Sequence, residues 1–88
     1  MKKLPPKWKG YYKVIEESGE LGQVLGKLVY QHDAQTIQNL HDEIGDTLAT
    51  LEYFIKHNGL DRDMIVKRFE KKMKRFESIK LPAMIPVK

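Results

Sequence analysis

Cysteine is absent from the 88 residues, which removes disulfide staples, thiolate nucleophiles and cysteine-ligated zinc. No apolar run approaches the ~18 residues a membrane span requires, and the start Met1-Lys2-Lys3-Leu4-Pro5-Pro6 lacks the apolar stretch of a secretory signal. A cytoplasmic protein without membrane association is the expectation. There is no glycine-rich phosphate loop and no Glu-x-x-His pair of the kind that builds di-iron sites in helical bundles. Asp61-Arg62-Asp63 opens like a calcium loop, yet the glycine required at its sixth position and the acid at its twelfth are missing. A chain this short has room for one modest core, so stability has to come from packing or from association with other chains.

What is present is 41% hydrophobic residues and a segmented charge. Residues 1–13 carry +5, residues 14–60 carry −6 and residues 61–88 carry +5. An acidic centre between basic ends suits a metal-bound anion, with carboxylates for the cation and lysines and arginines for phosphates. Solvated helix faces would give the same totals.

The periodicity predicts three helices and no strand. The first runs from about Trp8 to Gln31, with Val14, Leu21, Val24, Leu25 and Leu28 at helical spacing. Its glycines 19, 22 and 26 lie opposite the leucines, and each costs about 1 kcal/mol relative to alanine, so a close approach on that face is expected, by another subunit or a ligand, with a tolerated bend as the alternative. Asp33 is the expected N-cap of a second helix, Ala34 to His57, with an inward stripe of Ile37, Leu40, Ile44, Leu48, Leu51 and Ile55. Asp61 caps a third to about Ser78, whose stripe is Ile65, Phe69, Met73 and Phe76. The expectation is a single all-α domain over 1–88: an antiparallel bundle of three long helices completed by oligomerisation. It has a basic arm at 1–6 and an irregular, proline-containing tail at 79–88. His32, His41 and His57 fit no catalytic arrangement and read as surface or interface residues. Trp8, Tyr11 and Tyr12 read as aromatics that close a core, with stacking on a nucleobase as the alternative.

The chemistry lies in the acids. Glu17 and Glu20 form E-x-x-E and Glu43 and Asp46 form E-x-x-D. Residues three apart sit about 60° apart round a helix, so each pair can project to one point. A short turn near Asp33 makes the two helices antiparallel neighbours, and the four carboxylates converge between them. Glu17 shares the face of Leu21, Val24 and Leu28, where an ionised carboxylate needs compensation. A hard divalent cation such as Mg²⁺ suits an all-oxygen donor set; the competing interpretation is solvated acids at i,i+3 spacing.

Glu16-Glu17-Ser18-Gly19-Glu20-Leu21, followed by Asp42-Glu43-Ile44-Gly45-Asp46-Thr47-Leu48, resembles the paired signature of MazG-like nucleotide pyrophosphohydrolases, an all-α superfamily. Lys71-Lys72-Met73-Lys74-Arg75-Phe76 is similar to that family's basic segment, so the likeness covers most of residues 12–77. The resemblance implies Mg²⁺-dependent hydrolysis of a nucleoside triphosphate between its α and β phosphates, giving the monophosphate and pyrophosphate. It implies metal ligands at Glu17, Glu20, Glu43 and Asp46, and a water-orienting or proton-accepting role for Glu16 beside Glu17. Lys71 and Arg75, four apart on one face, are the expected phosphate contacts. The expected partners are the nucleotide and further copies of the chain, as a homodimer or homotetramer, with neither membrane nor nucleic acid. Phosphoribosyl-ATP is an alternative substrate within the superfamily. A non-enzymatic helical module for nucleic-acid binding or dimerisation is the alternative from another class.

Overall fold

The computed structural model describes residues 8–82; the basic arm 1–6 and residues 83–88 of the expected tail lie outside the described residues. Three helices follow in order, α1 (Tyr11–Lys27), α2 (Ala34–His57) and α3 (Arg62–Ile79), with no strand among the described residues. The all-α class is therefore as expected.

The helix ends follow from local chemistry. Asp33 accepts a 2.7 Å hydrogen bond from the Thr36 backbone N–H, and Asp61 accepts one of 3.1 Å from that of Met64, so both expected N-caps form. The Thr36 bond also holds the Asp33 carboxyl below the usual carboxylate range. At the other ends, Gly59 follows α2 with φ 64° and Lys80 follows α3 with φ 49°. α1 is shorter than the expected span of 8–31. Gly10, at φ 81°, breaks the helical path before Tyr11, and beyond Lys27 the chain continues only as hydrogen-bonded turns to Gln31.

α1 and α2 form an antiparallel hairpin, closed at its open end by Asn58. That side chain accepts from the Lys9 N–H at 2.9 Å and donates to the Lys9 and Phe54 carbonyls at 2.9 and 2.8 Å. Beside it Trp8 stacks on Phe54, their ring centres 5.3 Å apart, so Trp8 closes the end of the hairpin. Halfway along, the Thr47 hydroxyl donates to the Glu43 carbonyl at 2.7 Å and lies 3.3 Å from that of Glu17, bringing the two backbones close.

The seam differs from the expected one. On α1 it consists of Val14, Glu17, Leu21, Val24 and Leu28, all buried or half-buried at alternating steps of three and four. On α2 the residues with the same burial and spacing are Thr36, Leu40, Glu43, Thr47, Thr50 and Phe54. Of the predicted inward stripe, Ile37, Ile44, Leu48 and Leu51 are exposed, because the hairpin turns the line of threonines and Glu43 toward α1 and leaves the apolar line on a flank.

The third helix also departs from expectation. It packs on neither neighbour, its one polar tie being the Arg62 guanidinium forked onto the Glu52 carboxylate of α2. Ile65, Phe69, Met73 and Phe76 are exposed, Phe69 at 64%, so a three-helix bundle does not close within one chain. A Cβ on glycine 19, 22 or 26 would meet nothing within 4 Å, so that face of α1 is open in the single chain, where the expected approach is one made by another subunit or a ligand. Among the described residues no hydrophobic side chain is buried, and the radius of gyration is 16.1 Å, against about 12 Å for a compact domain of this length.

Since Asn58 alone supplies three hydrogen bonds at the hairpin's open end, Asn58→Ala is expected to destabilise the protein by about 1–2 kcal/mol. Thermal melts followed by circular dichroism would read this as a lowered Tm, and an unchanged Tm would show that the clasp contributes nothing.

Candidate metal centre

The heptad-like spacing of the α1 seam places Glu17 where a leucine would otherwise sit. Its residue exposure is 7%, one of only two buried polar residues described, the other being the capping-region Thr36. Opposite, Glu43 occupies the α2 seam half-buried, with Glu20 half-buried at the edge of α1 and Asp46 exposed at the edge of α2. One carboxylate oxygen from each of Glu17, Glu43 and Asp46 lies within 4.8 Å of the other two, and the same holds for Glu16, Glu17 and Glu20. Glu17 belongs to both groups. The structure thus brings Glu16, Glu17, Glu20, Glu43 and Asp46 to one place along the hairpin.

The electrostatics of this arrangement are unfavourable as they stand. Burial pushes the Glu17 carboxyl above the usual range, and the charges of Glu20 and Asp46 push it further, against a smaller opposing effect of Lys13. Glu43 is raised in the same way, by burial and then by Glu20, Glu17 and Asp46. Glu17 Oε2 and Glu43 Oε2 are buried with no hydrogen-bond partner. Unsatisfied carboxylate oxygens facing one another are costly unless a proton or a cation sits among them. An all-oxygen donor set of this kind suits a hard divalent ion such as Mg²⁺ or Ca²⁺.

Lys13 was not singled out by the sequence as a site residue. Its ammonium lies 2.8 Å from Glu16 Oε1 and 3.8 Å from Glu17 Oε1, and the bond to Glu16 holds it above the usual lysine range. Its position three and four residues before those glutamates was the available signal. Thr47 was missed too, four residues after Glu43 on the seam.

Lys71 and Arg75 are not brought to the carboxylates within one chain. They line an open groove of about 490 Å³ along α3 with Arg68, Lys72, Lys74 and Ser78, and among the described residues neither makes an ion pair or hydrogen bond with an acid. The three histidines are exposed; His41 Nδ1 lies 2.8 Å from the Ile37 carbonyl and His57 packs on Tyr53. Tyr12, 83% exposed, closes no core. No helix among the described residues is long and apolar enough to cross a membrane. No protein family matches the chain, and neither do the curated proteins or the solved structures with which it was compared.

A carboxyl whose pKa is raised by folding takes up protons in the folded state first, so it favours the folded state on the acid side and lowers stability as pH rises through the raised value. With chelator present, Tm is expected to fall as pH rises from the ordinary carboxylate range toward neutrality. Glu17→Gln should flatten that dependence and melt higher than the native chain at pH 7. Equal pH profiles for the two proteins would show that Glu17 is not under electrostatic strain.

Proposed function

We propose that the carboxylate centre holds Mg²⁺ and that the protein hydrolyses a nucleoside triphosphate between its α and β phosphates, as the resemblance to MazG-like pyrophosphohydrolases implies. The observation that carries this is the buried, unpartnered Oε2 of Glu17 among three further carboxylates. In this reading Glu17, Glu20, Glu43 and Asp46 hold the ion. An ion held by these residues would supply charge neutralisation at phosphate oxygens and a lowered pKa for water. Glu16 is exposed beside Glu17, so its carboxylate can orient a water or take a proton from it while Lys13 shares its charge. No covalent nucleophile is required of the chain.

The reading includes an oligomer. The exposed flank of α2, with Ile44, Leu48 and Leu51, and the unpartnered stripe of α3 are apolar lines that one chain does not cover. Packing between copies, as a homodimer or homotetramer, would bury them and give the protein the core it lacks alone. It would also fix α3, and with it Lys71 and Arg75, whose charges suit a polyphosphate. The basic groove is equally the feature that favours the alternative, a nucleic-acid-binding module, which steeply salt-dependent DNA binding without nucleotide hydrolysis would support.

Mg²⁺ at millimolar concentration should raise the Tm of the native protein by mass action on the folded state. Pyrophosphate release from a nucleotide panel should require the ion and be lost in Glu17→Gln and Asp46→Asn. Orthophosphate as first product, or release without divalent ion, would overturn the assignment. Arg75→Ala should lower kcat/KM about tenfold while leaving the Mg²⁺-induced shift in Tm intact. Light scattering at micromolar concentration should give at least twice the 10.3 kDa chain mass; a stable monomer would remove the association.

A further inference from the structure

The hairpin has a cleft that the carboxylates do not use. It measures about 420 Å³, within the range of small-molecule sites, and is lined by Gly10 and Lys13 on one side and by Ala49, Thr50 and Tyr53 of α2 on the other. Its position relative to the acids follows from helical register. Lys13 precedes Glu17 by four residues and Thr50 follows Asp46 by four, so the cleft lies one turn, about 6 Å, along both helices from the carboxylates. Asp46, Ala49 and Tyr53 succeed one another at i, i+3 and i+7 down a single edge of α2.

We propose that this cleft receives the nucleobase of the nucleotide whose phosphates lie at the carboxylates, with Tyr53 as the stacking surface; the inference rests on the hydrolase reading above. The Tyr53 ring is held from two sides. His57 packs on it with ring centres 4.2 Å apart, and Gly10 lies so close that a Cβ there would meet Tyr53 Cδ1 at 3.1 Å. Gly10 also has φ 81°, a conformation that side chains disfavour, so both backbone and space keep that wall bare. The residue is nevertheless 50% exposed and lines the cleft, so part of it remains open to a planar ligand. The Thr50 hydroxyl donates to the Thr47 carbonyl at 2.8 Å, which leaves its oxygen free to accept from an exocyclic amine. Lys13 stands between the cleft and Glu16 and Glu17, where its ammonium can meet the phosphate nearest the sugar.

A second copy of the chain is the other possible occupant of an apolar cleft, and the register argues against it. The exposed apolar line Ile37, Ile44, Leu48 and Leu51 lies about 160° round α2 from Asp46, Ala49 and Tyr53. The flank suited to association and the flank carrying cleft and carboxylates are opposite sides of the same helix.

The test uses Ala49→Phe, which fills the cleft without touching an acid. Against a panel of nucleoside triphosphates its KM is expected to rise tenfold or more, while base-free tripolyphosphate, the Mg²⁺-induced shift in Tm and the oligomeric mass stay as in the native protein. An unchanged KM for every nucleotide would overturn the base site and leave the hydrolase standing. A changed mass by light scattering would mark the cleft as a subunit contact and overturn it too. If Ala49→Phe does not fold, Tyr53→Ala serves in its place with the same expected rise in KM. Free nucleosides titrated into the native protein should shift the amide signals of Ala49, Thr50 and Tyr53. Shifts there without pyrophosphate release would retire the hydrolase and keep the base site, and no shifts would retire the base site.

Discussion

The Glu17 carboxylate is withheld from water in the middle of the α1–α2 seam, and the form of the hairpin follows from accommodating it. A leucine at that position would have let the two helices close on an apolar line from end to end. With Glu17 there, the α2 side of the seam is polar as well: Thr36, Glu43, Thr47 and Thr50 face α1 in place of Ile37, Ile44, Leu48 and Leu51. The seam therefore gains little from apolar burial, and its specificity comes from hydrogen bonds, the Thr47 hydroxyl against two carbonyls at the centre and the Asn58 clasp at the open end. Polar seams of this kind fix register at some expense of stability.

That exchange has a geometric result. Once the threonine line of α2 faces α1, the two remaining flanks of the helix are committed, one apolar and exposed, the other carrying Asp46 and the Tyr53 cleft. α1 is divided in the same sense, with Lys13, Glu16 and Glu20 toward the acidic edge and Ile15 and Leu25 exposed away from it. The acidic edge and the exposed apolar line therefore occupy different flanks. A metal centre on one flank and a subunit contact on the other could each be altered with little effect on the other's side chains.

The local structure was legible because its causes are local. Asp33 and Asp61 cap helices through their own side chains, Asn58-Gly59 ends α2, and Glu17 falls on the apolar line of α1 by counting alone. The convergence of the acids was legible for the same reason, since two i,i+3 pairs on antiparallel neighbours have few other places to go. What the sequence concealed depends on comparing two faces of one helix. The apolar line of α2 is the more hydrophobic, so periodicity selects it as the inner one, and nothing in that pattern signals that the line of threonines and Glu43 faces α1 instead. The same difficulty applies to α3, whose stripe signals burial although none of the described residues covers it.

Were a cation bound at these carboxylates, its binding would be coupled to folding. The repulsion among Glu17, Glu20, Glu43 and Asp46 acts across the main helix pairing of the described residues, so whatever relieves it strengthens the α1–α2 contact. A cation held there would draw α1 and α2 together at the height of Thr47, between the Asn58 clasp and the turn at residues 28–33. The apolar flank of α2 is held at a defined angle only as far as the seam is closed. In the reading proposed here, occupation of the carboxylates thus favours association on the opposite face without any side chain linking the two, because both draw on the rigidity of a single hairpin.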